Sequence, residues 1–91
     1  MYDLKYITGD FPSDHGSITS GIIFHACLTH SAVAARMGVT NVLGAGFFFV
    51  EADDNGSMST KVYGDSNSLK VKSRPEDSYL LDKVLGIGKD R

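Results

Sequence analysis

Apolar and polar positions alternate near the start of the chain, with Leu4, Tyr6 and Thr8 on one face and Lys5 and Ile7 on the other. A period of two over residues 2–8, in β-forming residue types, predicts a strand. Residues 9–16, GDFPSDHG, combine two glycines, a proline and two aspartates, which predicts a loop. A second strand is expected over 17–24, interrupted by Gly21. There the rhythm changes. Thr29 suits a helix N-cap, SAVAARM continues the helix, and Gly38 suits its C-terminal stop, with the turn starting as early as His25. Residues 39–51, VTNVLGAGFFFVE, are β-rich and too broken by glycine for a helix. Asp53-Asp54-Asn55-Gly56 is the strongest turn signal, because Asn-Gly accepts the positive φ of a tight hairpin. A return strand over 60–63, a turn over 64–67 and a strand over 68–72 follow. Ser73-Arg74-Pro75-Glu76 reads as a capping box with Pro75 in the first turn, and Leu80, Leu81, Val84 and Leu85 recur at helical spacing before Gly86. The order β-β-α-β-β-β-α predicts an α+β fold. One mixed or antiparallel sheet carries two helices packed on it, in a single domain over residues 1–91.

Composition narrows the function classes. A net charge of −2 gives no electrostatic footprint for nucleic acid. The apolar runs, 44–50 among them, are too short to cross a bilayer, and the first ten residues lack the layout of a signal peptide. Cys27 is the single cysteine, so no intrachain disulfide forms and a reducing, cytoplasmic setting is expected.

Candidate chemistry centres on His25, delivered by the apolar run Ile22-Ile23-Phe24 to the junction of a strand and a helix. The bland alternative is a half-buried histidine bonded to a backbone carbonyl. The sharper one uses the junction: unpaired amides at the positive end of a helix bind anions, and a neutral imidazole beside them can act as base or nucleophile. His30 is five residues on, which does not stack two imidazoles as i, i+4 would, so zinc held by His25, Cys27 and His30 is weakly supported and no metal is assigned. His15 is expected in solvent. Gly44 and Gly46 interrupt a strand that wants bulky residues, which predicts a bulge or a close backbone approach, by a packed helix or by a ligand. No Rossmann fingerprint or P-loop is present. The turn Tyr63-Gly64-Asp65-Ser66-Asn67-Ser68 suits either an ordinary Ser or Asx turn or a nest of amides for an anion. Phe47, Phe48 and Phe49 are expected in the core on alternating sides, and Tyr2, Tyr6 and Tyr79 as packing residues.

Four short motifs in order resemble the janus/ocnus family, the small phosphohistidine phosphatases. Leu4-Lys5-Tyr6 is similar to that family's lysine-bearing first strand, and Phe24-His25-Ala26 to its aromatic-His-Ala motif. Leu43-Gly44-Ala45-Gly46 is similar to its glycine-rich strand, and Val62-Tyr63-Gly64-Asp65-Ser66 to its Val-Tyr-Gly turn. The likeness runs over roughly residues 4–85. Ala45, Phe47 and Asp65 depart from it, standing for a glycine, a basic residue and an aromatic. The resemblance implies a metal-independent phosphohistidine or phosphoramidate phosphatase that needs no cofactor. It implies His25 as general base or transient phosphoryl acceptor and Lys5 as counter-charge. Amides around His25 and Ala26, with Ser66 and Ser68, would cradle the phosphoryl oxygens. The alternative is a domain of that fold without turnover, binding a phosphorylated protein, a small phosphorylated ligand or a protein partner. A structural homo-oligomer is a third reading, favoured by the small size and the phenylalanines.

Overall fold

The computed structural model describes residues 4–87. Four strands form an antiparallel sheet: β1 (Leu4–Ser13), β2 (Gly16–His25), β3 (Asn41–Ala52) and β4 (Met58–Tyr63), in the spatial order β2-β1-β3-β4. In place of the single sheet expected, a short ribbon, β5 (Asp65–Ser66) with β6 (Val71–Lys72), forms a second sheet packed against β3. The helices are α1 (His30–Met37) and α2 (Asp77–Leu85). Tyr2, expected at the head of the first strand, lies outside the described residues.

The expected loop over 9–16 is a correction. β1 runs on to Ser13, and only Asp14 and His15 turn before β2 starts at Gly16, whose φ is +116°. The loop-forming residues have other reasons to be there. A Cβ on Gly9 would collide with the carbonyl of Asn41. Asp10 ties three segments together: Thr19 Oγ1 donates to its carboxylate at 2.6 Å, Asn41 Nδ2 at 3.3 Å, and Thr40 N–H to its carbonyl at 2.9 Å. Pro12 sits where β1 has run past its ladder with β3, which ends at Asp10, so its missing N–H breaks no central pairing. His15 is exposed at the hairpin tip, as expected.

β3 and β4 meet at the turn read from the sequence: Asp53 Oδ1 accepts the amides of Asn55 and Ser57 at 2.9 Å each, and Gly56 takes φ +81°. The strand expected over 68–72 shrinks to Val71–Lys72. Ser66 accounts for this: its hydroxyl accepts Leu69 N–H and its carbonyl accepts Lys70 N–H, curling residues 67–70 into a turn in which Lys70 reaches φ +57°.

The helices cover opposite faces of the sheet. On β1, Ile7 points to α1, where it meets Val33, Ala34 and Ala45, while Tyr6 points to α2, where it meets Leu81 and Phe48. Phe48 is therefore core, Phe47 half-buried on the α1 side and Phe49 exposed. Thr29 caps α1 by accepting Ala32 N–H, and Gly38 ends it at φ +68°, both as expected. At α2 the capping box expected at Ser73 is not formed, and the helix begins later, at Asp77 with Glu76 as its N-cap. The carboxylate of Asp77, not Glu76, reaches back, and it accepts Arg74 N–H, not that of Ser73, at 2.8 Å. Pro75 and Glu76 form the turn that leads into α2, and Glu76, the N-cap, makes no side-chain capping hydrogen bond. The inner face of α2 also differs, because Val84 is exposed while Asp77 and Asp82 are buried beside Leu81. These aspartates belong inside because the sheet offers them donors: Tyr6 Oη and Thr8 Oγ1 to Asp77 at 2.6 and 2.8 Å, and Thr60 N–H and Oγ1 to Asp82 at 2.8 and 2.9 Å. Tyr79, expected to pack, is instead exposed with Lys83 Nζ 4.6 Å above its ring.

Candidate functional site

Side chains of β1 alternate between the two faces, and this decides which candidates meet. Lys5 shares the α1 face with Ile7. Its Nζ crosses to the loop after β2, donates to the Leu28 carbonyl at 2.9 Å and lies 5.8 Å above the Phe47 ring. Among the described residues Lys5 forms no ion pair. It lines a cleft of about 250 Å³ with Thr29 and His30 at the start of α1, and with Asp65, Asn67 and Ser68 beyond β4. Ser68 closes the cleft onto the helix by accepting Ser31 N–H at 3.0 Å. Ser66, whose Oγ stands 3.4 Å from that of Ser68, is buried and holds the turn, so it shapes the cleft from behind without lining it.

His25 goes elsewhere. It ends β2 opposite Leu4, while Phe24 stands opposite Lys5. Cross-strand partners share a face, so this register sends His25 to the Leu4 and Tyr6 side and Lys5 to the other. His25 Nδ1 accepts Cys27 N–H at 3.1 Å, which puts the proton of the neutral ring on Nε2. Ala26 sits in the bend that follows and does not line the cleft. Of the sequence-derived site, Lys5 and Ser68 are brought together, and His25, Ala26 and Ser66 lie outside.

The histidine that does line the cleft is His30. Only 4% exposed, it packs edge-on against Phe24 and Phe47 and makes a 2.9 Å hydrogen bond to the Gly46 carbonyl through Nε2. A carbonyl only accepts, so Nε2 carries the proton. Burial pulls its pKa below the ordinary value, the carbonyl opposes that shift, and Lys5 adds to it. The ring is therefore neutral at pH 7. Its signal in the sequence was its place, directly after the N-cap of a short apolar helix, where a side chain is laid back over the sheet.

The cleft thus combines one ammonium, one carboxylate, a neutral imidazole, a serine, an asparagine and the first turn of α1. Such a set has the chemistry to bind and orient a polar or anionic group. A larger cleft of about 500 Å³ lies beside β4 and the start of α2, but its cations are already matched. Arg74 holds Asp77 through Nε and Nη2, at 2.9 and 2.7 Å, and Lys61 stands 3.8 Å from Glu51. Among the described residues no cluster of three or more His, Cys, Asp or Glu side chains is placed to hold a metal, and no helix is long and apolar enough to cross a membrane. The chain matches no protein-family model, no curated protein and no solved structure.

Proposed function

We propose that this domain binds a phosphoryl group, carried by a protein or a small ligand, without hydrolysing it. The observation that carries the reading is the register of β1 and β2, which parts Lys5 from His25 while bringing Lys5, His30 and Ser68 to one cleft. Lys5 is the counter-charge, with a neutral carbonyl as its hydrogen-bond partner. Asn67 and Ser68 supply short polar contacts, and the positive end of α1 adds to the field of the lysine. His25 is poorly suited to turnover. A nucleophile or base needs a lone pair aimed at the phosphoryl group, and its Nδ1 lone pair is engaged by Cys27 N–H. In this reading the janus/ocnus likeness reflects a shared fold and an anion pocket, and the departures at Phe47 and Asp65 mark the loss of catalysis.

NMR titration with inorganic phosphate and phosphoramidate, alongside a phosphate-release assay, tests the reading. Resonances of Lys5, Thr29, His30 and Ser68 are expected to shift with no phosphate released. Lys5→Ala, which removes a charge-assisted contact, is expected to weaken binding by about tenfold or more. Phosphate release that disappears in His25→Ala restores the hydrolase reading. Absence of binding in wild type defeats both.

A further inference from the structure

The two outer strands of the sheet are finished differently. At β4 the backbone of Thr60 is closed off: its N–H donates to Asp82 Oδ1 at 2.8 Å, and its carbonyl accepts from Ser78 Oγ at 2.6 Å. Side chains of α2 thus occupy groups that another strand would otherwise use. The far strand, β2, has no such cover among the described residues. It pairs with β1 alone, and among the described residues the one side-chain hydrogen bond over 17–24 joins Thr19 Oγ1 to Asp10, leaving the backbone uncovered. Its sequence, GSITSGIIFH, contains no lysine, no proline and no charged residue through Phe24, and its ladder with β1 has no bulge. Natural edge strands use those devices to refuse a neighbour. Ile18, 57% exposed, stands near the hairpin end of this edge.

We propose that β2 pairs edge to edge with β2 of a second copy of this chain, antiparallel about a two-fold axis, joining two four-stranded sheets into one. Charge argues for the second copy over a foreign partner. A two-fold axis sets a strand against itself, so any charged residue near the axis faces its own like; an uncharged edge escapes that penalty and offers a charged partner nothing to recognise. Size agrees. Ten residues of strand span roughly 33 Å. With a molecular thickness of 18 Å, this edge presents roughly 600 Å² against the ~800 Å² per partner of a standard interface. Leu28, whose N–H donates to the His25 carbonyl at the end of β2, lines a mostly apolar cleft of about 390 Å³ with Ala32, Val33 and Arg36 on the flank of α1.

Light scattering coupled to gel filtration, over a concentration series, is expected to give twice the chain mass. Ile18→Lys puts a charge on the edge and Leu28→Lys on the flank. Both positions are exposed, so each variant keeps its monomer fold by circular dichroism and weakens association by about tenfold or more. Hydrogen exchange locates the contact: amides of 17–24 slow as wild-type concentration rises, and in Ile18→Lys they do not. A wild-type chain that stays monomeric throughout overturns the proposal. So does a dimer whose mass and β2 exchange neither lysine alters.

Discussion

Gly44 lacks a side chain because Asp77 fills the space one would need: a Cβ there would collide with the Asp77 carboxylate. That carboxylate is fully buried and accepts from Tyr6, Thr8 and both the backbone and guanidinium of Arg74. One glycine on β3 therefore makes room for the group that starts α2. The collision forces either the strand or the helix start to move, so Gly44→Ala is expected to destabilise by about 1–3 kcal/mol in denaturant melts. Asp77→Ala strands the buried Tyr6 hydroxyl and the Arg74 amide, and about 3 kcal/mol or more is expected. Equal stability of both variants and wild type would remove this account. Burial and the Asp77 carboxylate push the Tyr6 phenol well above the range where tyrosines ordinarily titrate, so it remains a donor throughout. His30 responds to pH in the opposite sense to a salt-bridged histidine. Its folded pKa is lowered while the unfolded ring titrates near 6.5. Its stabilisation is therefore whole above that value and is lost as pH falls through the lowered folded value. Melts at pH 7.5 and 5 are expected to differ more for wild type than for His30→Gln, and identical differences would refute the burial of a neutral ring.

At the scale of elements, legibility depended on whether a signal was local. Thr29 and Gly38 bound α1, and Asp53 with Gly56 forms the β3–β4 turn, because each acts on amides within a few residues of itself. Pro12 and Gly9 misled because their reasons are distant: the end of the β3 ladder and the carbonyl of Asn41. The candidate site suffered from the same limit. Lys5 was visible as a lysine on a strand, but pairing His25 with Leu4 instead of Lys5 is a one-residue matter of register that flips the side chain to the other face. Helix α2 is legible as an amphipathic helix, but it starts three residues later than a cap at Ser73 implies, because the inner face carries aspartates whose donors lie on β1 and β4. That shift has a measurable consequence. Ser73→Ala is expected to change stability by less than about 0.5 kcal/mol, as a surface substitution does, whereas Leu81→Ala, which empties a fully buried position, costs about 2–5 kcal/mol. A Ser73→Ala loss near 1 kcal/mol would return the cap to Ser73.

Across the whole molecule, two separate apolar clusters lie on opposite faces of one sheet, and neither is large. Ile7, Ala45, Val33 and Ala34 form one, Tyr6, Phe48 and Leu81 the other. What joins them is chain continuity in the two central strands: Tyr6 adjoins Ile7 on β1, and Ala45 and Phe48 lie on β3. Neither helix has a face to pack on once those strands separate, so the halves are expected to unfold together, although no side chain of one cluster needs to touch the other. Ninety-one residues leave little surplus stability for a free-standing half. Leu81→Ala, confined to the α2 side, is therefore expected to accelerate exchange of the slowest α1 amides by the same free energy it removes from global unfolding, in one two-state transition. The test is hydrogen exchange of residues 33–37 in wild type and Leu81→Ala at equal pH and temperature. If the α1 amides keep their wild-type protection while those of α2 lose theirs, the faces open independently and the central strands do not couple them.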